Sequence, residues 1–220
     1  MTKKFLFSIS LVSAAGLAQL HAQDFSKLAF NIGGGVSSPL NPTSQYTGLS
    51  ASFSLGAGYN INKSNTIFGE FMWTDLPSNL FVIHPIDAPR GNINLYSLAA
   101  TYRRQIDRIH RSPFGVYGIA GGGWYYRYAS VDKDYAVPPN TVCLPTYTWW
   151  GYGCDPGGNV YTKTVAYKGV SSPGVNAGVG FTIRLADSNW KFYTEARYHY
   201  AWSTNVPTTL VPVTFGIRFN

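Results

Sequence analysis

The chain has 220 residues, of which 12% are charged and 16% aromatic, with 23 Gly and 16 Tyr. Soluble domains carry roughly a quarter charged residues, so this composition argues against an ordinary soluble domain. The formal net charge is +7, yet no run of five or six Lys or Arg residues occurs, which argues against nucleic acid as a partner.

The N-terminal segment, residues 1–22, is predicted to be a cleaved secretory signal peptide. Lys3 and Lys4 precede an apolar run over residues 5–20, and the small residue Ala22 follows shortly after. A basic start, a short apolar core and a small residue at the cut are typical of such signals. The alternative, a transmembrane helix, needs about 20 apolar residues, and the serines in this run weaken it. Cleavage leaves 15 basic and 10 acidic residues, a balance that favours anionic lipid head groups as partners.

From residue 27 onward the chain alternates between apolar and small or polar residues. The second segment is the clearest case, since Leu49, Ala51, Phe53 and Leu55 alternate with serines and a glycine. Such a period of two is typical of β-strands with two different faces. It predicts eight strands, at residues 28–36, 49–60, 66–74, 94–104, 114–131, 175–185, 191–202 and 210–219.

The connections between these strands differ in length at the two ends of the predicted sheet. Residues 61–65, 105–113 and 186–190 form compact turns, whereas the longest connection, residues 132–170, contains both cysteines. Its flanks, residues 124–131 and 161–170, are expected to continue the hairpin beyond the membrane. Short turns at one end, longer loops at the other and an even strand count are typical of transmembrane β-barrels. Spans of about ten residues also suit a tilted membrane strand. We therefore predict an all-β fold over residues 23–220, an eight-stranded antiparallel transmembrane up-and-down β-barrel whose long outer loop is 132–170.

Aromatic residues cluster near both ends of the predicted strands. Two such bands are expected where a barrel crosses the two membrane–water interfaces. The predicted interface residues are Tyr59, Trp73, Tyr96, Tyr102, Trp124, Tyr126, Trp190, Phe192, Trp202 and Phe219.

The chain resembles the OmpA/OmpX-type family of eight-stranded outer-membrane barrels. The resemblance covers residues 24–220 and is carried by the stretches 30–36 (FNIGGGV), 193–198 (YTEARY) and 213–219 (VTFGIRF). It implies export to the bacterial outer membrane, contact with outer-membrane lipids including lipopolysaccharide, and recognition of the last strand by the barrel-assembly machinery. Family members usually end in an aromatic residue, whereas Asn220 follows Phe219 here.

Charged residues on the inward faces predict an ionic network in the lumen. Eight strands leave an interior that side chains just fill, so these groups must pair, and both Arg184 and Arg218 are candidate partners for Glu195. The simplest interpretation is a structural plug, and the alternative is a narrow ion-conducting pore gated by the same pairs. The predicted members are Glu70, Arg103, Arg127, Arg184, Glu195, Arg197, His199 and Arg218.

Cys143 and Cys154 both lie in the longest loop. In an exported chain, two cysteines within a short span indicate a disulfide, which would stabilise that loop by about 3 kcal/mol. A metal site is the alternative, but two thiols without a nearby His are a weak metal motif.

No catalytic motif emerges from the sequence. His84 and Asp87 in an outer loop are the candidates for a lipid-modifying enzyme, but no nucleophile stands at a suitable spacing. The glycine runs 33–35 and 121–123 precede strand-like residues rather than a helix, so they are not phosphate loops. We therefore expect a non-catalytic barrel without cofactor or metal, with a structural or surface-binding role and an extracellular ligand that the sequence does not identify.

Overall fold

The computed structural model describes residues 27–78, 90–107, 114–136, 144–148, 151–155, 160–185, 189–203 and 205–219. The predicted signal peptide therefore lies outside the described residues. Among those residues, no helix is long and apolar enough to cross a membrane.

Eight antiparallel strands close into one barrel in the order β1-β10-β9-β8-β5-β4-β3-β2. The ten strands are β1 Leu28–Pro39, β2 Ser50–Asn60, β3 Asn65–Pro77, β4 Arg90–Asp107, β5 Phe114–Ala136, β6 Leu144–Thr148, β7 Gly151–Asp155, β8 Val160–Arg184, β9 Trp190–Ala201 and β10 Thr208–Phe219. β6 and β7 form a separate two-stranded sheet, and a short 3-10 helix, Thr43–Gln45, lies between β1 and β2. The predicted fold class is confirmed.

We call the end of the barrel with the β2–β3, β4–β5 and β8–β9 connections the turn end, and the opposite end the loop end. β1 begins at the turn end and β10 finishes there, and these two strands pair from Phe30↔Phe219 to Pro39↔Leu210. That pairing joins the first and last strands, so the barrel has no open sheet edge along this seam.

The alternation in the sequence sorts side chains between the two faces of the barrel wall. On β2, Ser52 and Ser54 are buried inside, while Phe53 and Leu55 are exposed outside. The same holds around the barrel, where Leu98 is 66% exposed on the outer face. An exposed apolar exterior around a polar, charged interior is the reverse of a soluble protein and is the pattern of a membrane-spanning barrel.

β5 and β8 continue well into the predicted loop 132–170. Their pairing runs without a break in the sheet, apart from one bulge at Val131/Asp132, up to Ala136↔Val160. The sheet of β6 and β7 lies within the same stretch. Much of this connection is thus strand, because its first and last residues continue the pairing of β5 with β8.

Large interior side chains fit because glycines lie opposite them. A Cβ placed on Gly180 would overlap the ring of Tyr117, and one on Gly174 would overlap the ring of Tyr125. Both glycines lie on β8 facing inward, so β8 leaves room for two tyrosines of β5. Close packing against these rings accounts for the two glycines.

Candidate functional site: the ionic lumen and the outer hairpin

Glu70, on the inward face of β3, is buried and accepts hydrogen bonds from four neighbouring side chains. Arg197 donates from Nη1 to Oε2 at 2.7 Å, and Arg103 donates from Nη2 to Oε1. Asn31 donates to Oε1 at 3.0 Å and Thr101 to Oε2 at 2.8 Å. Each oxygen of this carboxylate is thus paired, as a buried charge requires.

Glu195, on β9, is the second buried carboxylate and is 1% exposed. Arg218 donates from Nη2 to Oε1 at 2.7 Å, and Tyr117 donates its hydroxyl to the same oxygen at 2.6 Å. Arg197 donates from Nε to Oε2 at 2.8 Å, and Arg103 Nη2 lies 3.1 Å from Oε1. Three arginines therefore converge on this carboxylate.

Two of the ion pairs cross the lumen, whereas the other three join residues of the same strand or of adjacent strands. β9 and β3 are four places apart in the closed order of eight strands, so Arg197 and Glu70 come from opposite walls. Arg103 likewise connects Glu70 on β3 with Glu195 on β9. Side chains that meet in the middle fill the cross-section, which is the packing expected inside an eight-stranded barrel.

Towards the turn end, two arginines share one aromatic ring. The guanidinium carbon of Arg103 lies 4.0 Å from the ring centroid of Phe68, and that of Arg218 lies 5.3 Å from it. Arg218 also lies 4.9 Å from the ring centroid of Tyr117. Cation–π contacts of this kind stabilise guanidinium groups in a desolvated place.

Towards the loop end, the lumen becomes less polar. Tyr125 and His199 share a hydrogen bond of 2.9 Å between Oη and Nδ1, and their rings meet edge to face. Tyr125 also belongs to an apolar cluster, which we call the outer cap. Its members are Leu76, Leu95, Tyr125, Ala201 and Leu210, all at most 2% exposed.

The structure brings five of the eight predicted lumen residues into one cluster. The lumen cluster consists of Glu70, Arg103, Glu195, Arg197 and Arg218. His199 lies next to it, in the hydrogen bond with Tyr125, and Arg127 lies nearer the loop end, where it donates to Thr208 Oγ1 at 3.1 Å. Arg184 does not join the cluster, because it is exposed at the last rung of β8, where it faces Lys191.

Sequence reasoning missed several members of the interior. Phe68 and Tyr117 complete the lumen cluster, and Leu76, Leu95 and Leu210 build the outer cap. Their positions on the inward faces follow from the same period of two, which is the signal that identifies them. Leu76 and Ile93 were not recognised as interior residues because β3 and β4 extend beyond the predicted strand ends.

The ten predicted interface aromatics lie on the outer face, near both ends of the barrel. Nine are exposed, whereas Trp73 is half-buried and donates from Nε1 to Asn94 Oδ1 at 2.9 Å. At the loop end, Trp73 pairs with Tyr96 and Tyr96 with Tyr126 on one rung. At the turn end, the rings of Trp190 and Phe219 lie 5.4 Å apart. Their role as membrane girdles stays a prediction.

The second candidate site, the outer hairpin, consists of residues 127–136 of β5 and residues 160–170 of β8, where β8 extends past its pairing with β9. β4 pairs with β5 up to Asp132, but β9 pairs with β8 only as far as Gly174. Between Lys163 and Gly169 every residue of β8 is exposed, including Val165 at 47% and Tyr167 at 74%. In the described part of the chain, nothing pairs with the second edge of this segment.

Two other predicted features, the disulfide and the catalytic candidates, lie outside the described residues wholly or in part. Cys143, His84 and Asp87 are outside the described residues, and of Cys154 only the backbone in β7 is described. The disulfide therefore stays a prediction. Within the described ranges, no three side chains of His, Cys, Asp or Glu come together as metal ligands would.

The fold and the polar, cross-linked lumen define the class: an eight-stranded up-and-down barrel of the kind found in bacterial outer membranes. Neisserial surface protein A has this fold, with a TM-score of 0.52, 18% identity and coverage of 87% of this chain and 96% of that one. The predicted resemblance is thus confirmed at the level of the fold. No protein-family model matches the chain, and a search of curated proteins found no match.

Two further solved structures are similar to this chain. Ail, the attachment invasion locus protein of Yersinia pestis, is 16% identical, with a TM-score of 0.46 and coverage of 88% of this chain and 98% of that one. A major outer membrane protein of Thermus thermophilus is 8% identical, with a TM-score of 0.47 and coverage of 87% and 98%.

Proposed function

We propose that this protein is a non-conducting, non-catalytic barrel of the bacterial outer membrane that binds a partner at the cell surface through its outer hairpin. The apolar exterior, the closed strand order and the fold neighbours support the membrane location. The loop end then faces outward, because long loops lie on the extracellular side of such barrels.

The observation that carries the binding role is the exposure of β8 between Lys163 and Gly169 on both faces and along one edge. An unpaired strand edge offers backbone N–H and C=O groups that an extended peptide can pair with. Val165 and Tyr167 project from the same face of that strand and supply apolar contacts. The partner that fits this surface is an extended protein segment that adds a strand to the hairpin.

Two features of the interior support a closed lumen over the alternative of a gated pore. The Glu70–Arg197 pair joins opposite walls, and the outer cap places five tightly packed residues nearer the loop end. An ion would have to break a buried ion pair and then cross an apolar layer, and both steps are costly.

The non-catalytic assignment is also a proposal. His199 could serve as a base, but it is 3% exposed and bonded to Tyr125 inside the barrel, so a lipid substrate cannot reach it. A lipid-modifying activity that uses His84 would change the mass of lipids incubated with the folded protein, and His84→Ala would abolish that change. We expect no such change.

Retention of cells on a panel of immobilised extracellular proteins, peptides and polysaccharides tests the binding role. Cells that display the wild-type chain should be retained on at least one protein surface, and a Val165→Ser/Tyr167→Ser variant should lose that retention. Ile61→Ser is the matched control, because Ile61 is 52% exposed but lies in the β2–β3 turn at the opposite end. Equal retention of the wild type and the hairpin variant on every surface would overturn the proposal.

A further inference from the structure

The lumen cluster carries more positive than negative charge. Arg103, Arg197 and Arg218 contribute three guanidinium groups, whereas Glu70 and Glu195 contribute two carboxylates. Each of these side chains is at most 9% exposed. Because arginine is not deprotonated in proteins, the lumen cluster holds one positive charge in excess. A buried charge without a counter-charge is strongly unfavourable.

The excess charge lies on the pair formed by Arg103 and Arg218. Nη2 of each arginine contacts the same oxygen, Oε1 of Glu195, and both guanidinium groups lie over the ring of Phe68. The two groups are therefore neighbours. Three of their buried donors, Nε and Nη1 of Arg103 and Nε of Arg218, have no hydrogen-bond acceptor among the described residues.

A row of basic residues connects this pair with the turn end. Arg184 on β8 faces Lys191 on β9, and Lys191 in turn faces Arg218 on β10, so one rung carries three basic residues in sequence. Like charges directly opposite one another destabilise a sheet. The rung runs from Arg184, which is exposed, through Lys191, which is half-buried, to Arg218, which is buried. It therefore leads from solvent to the pair.

We propose that the turn end of the lumen is a binding site for a small inorganic anion of the size of chloride. The anion would accept hydrogen bonds from the unpaired donors of Arg103 and Arg218 and neutralise the excess charge, and the basic rung would guide it in from the turn end. The site is buried and lies beside the rings of Phe68 and Tyr117, which favours a small anion over a bulky organic one. This inference does not depend on what the outer hairpin binds.

Anomalous diffraction from crystals of the complete folded protein, grown in sodium bromide, tests the site directly. We expect a bromide peak within hydrogen-bond distance of Arg103 and Arg218. Bromide peaks confined to exposed lysines and arginines would be an adventitious ion only and would overturn the proposal, as would the absence of any peak.

Thermal unfolding gives a second test. Chloride is substituted stepwise for gluconate, so that the chloride concentration rises while the ionic strength stays fixed. The unfolding temperature of the wild type should rise with chloride concentration, as binding to the folded state requires. Arg218→Gln, which balances the charges of the cluster, should lose this rise. Arg127→Gln should keep it, because Arg127 bonds to Thr208 nearer the loop end.

Should Arg218→Gln fail to fold, Arg184→Gln replaces it, because Arg184 is exposed and outside the cluster. The Arg184→Gln variant should need a several-fold higher chloride concentration than the wild type to reach half of the increase in unfolding temperature. An identical chloride response in the wild type, the Arg184 variant and the Arg127 variant would overturn the proposal.

Discussion

Arg197 on β9 and Glu70 on β3 form an ion pair across the full width of the barrel, with Nη1 and Oε2 2.7 Å apart. Arg197 also bonds to Glu195 on its own strand, so one guanidinium group links both buried carboxylates. This single side chain connects opposite walls of the lumen. It makes the lumen cluster one network whose members depend on each other.

Loss of the Glu195 carboxylate should be strongly destabilising. Glu195→Gln leaves Arg103, Arg197 and Arg218 with one carboxylate between them, and breaking a buried ion pair costs about 3–5 kcal/mol. Urea unfolding of the protein in lipid vesicles, followed by tryptophan fluorescence, measures this change. Asp132→Asn is the control, because the hydrogen bond that Asp132 accepts from Thr164 is exposed and surface substitutions usually change stability by no more than about 0.5 kcal/mol. Equal losses in the two variants would contradict a buried network.

The outer cap should contribute to stability as a packed core does. Leu210 is 0% exposed in this cluster, and a buried Leu→Ala change costs about 2–5 kcal/mol. Leu210→Ala should therefore lower the unfolding free energy by that amount in the same urea assay. Leu49→Ala, at a site 66% exposed, should change it by less than about 0.5 kcal/mol. A loss no larger than that of the Leu49 variant would mean that the cap is loosely packed.

Ion flow through the lumen should be negligible in the wild type. Single-channel recording in planar bilayers should show no steady conductance, because both the lumen cluster and the outer cap would have to open. Glu195→Gln alone should stay closed since the cap remains, whereas Glu195→Gln combined with Leu210→Ala should leak. A steady wild-type conductance that changes in Glu195→Gln would favour the gated pore instead.

The glycines beneath the interior tyrosines should be intolerant of larger residues. A Cβ on Gly180 would meet the ring of Tyr117 and push its hydroxyl away from Glu195, so Gly180→Ala should cost about 1–3 kcal/mol as an overpacked core does. Gly69→Ala is the control, since the nearest atom to a Cβ there is the carbonyl oxygen of Ala57 at 3.9 Å. Comparable unfolding free energies for the two variants would show that Tyr117 moves freely.

The sequence was sufficient to predict the barrel and which face each charge occupies, because a period of two is a property of each strand alone. It was not sufficient to predict the partners across the lumen. Arg184 lies on the strand before that of Glu195 and Arg218 on the strand after it, yet of these two only Arg218 reaches Glu195, at 2.7 Å. The stagger between strands decides which inward-facing residues of different strands lie at the same height in the lumen. Alternation within one strand does not contain that information.

The same limit explains the outer features. β3 reaches Pro77 and β4 begins at Arg90, so the interior leucines of the outer cap lie at the ends of strands, where turn-forming residues obscure the pattern. The length of the outer hairpin depends on pairing between β5 and β8 beyond the barrel. The sequence predicts that the hairpin continues over residues 124–131 and 161–170, but not that its pairing reaches Ala136 and Val160.

The outward orientation of the outer hairpin is tested most directly by labelling a cysteine on it, in intact cells, with a membrane-impermeant maleimide. The Tyr167→Cys variant, made in a Cys143→Ser/Cys154→Ser background, should react in intact cells, because Tyr167 is 74% exposed on the outer hairpin. Ser64→Cys in the same background, in the β2–β3 turn at the opposite end, should react only after the outer membrane is permeabilised. Protection of position 167 in intact cells together with reaction at position 64 would contradict the account.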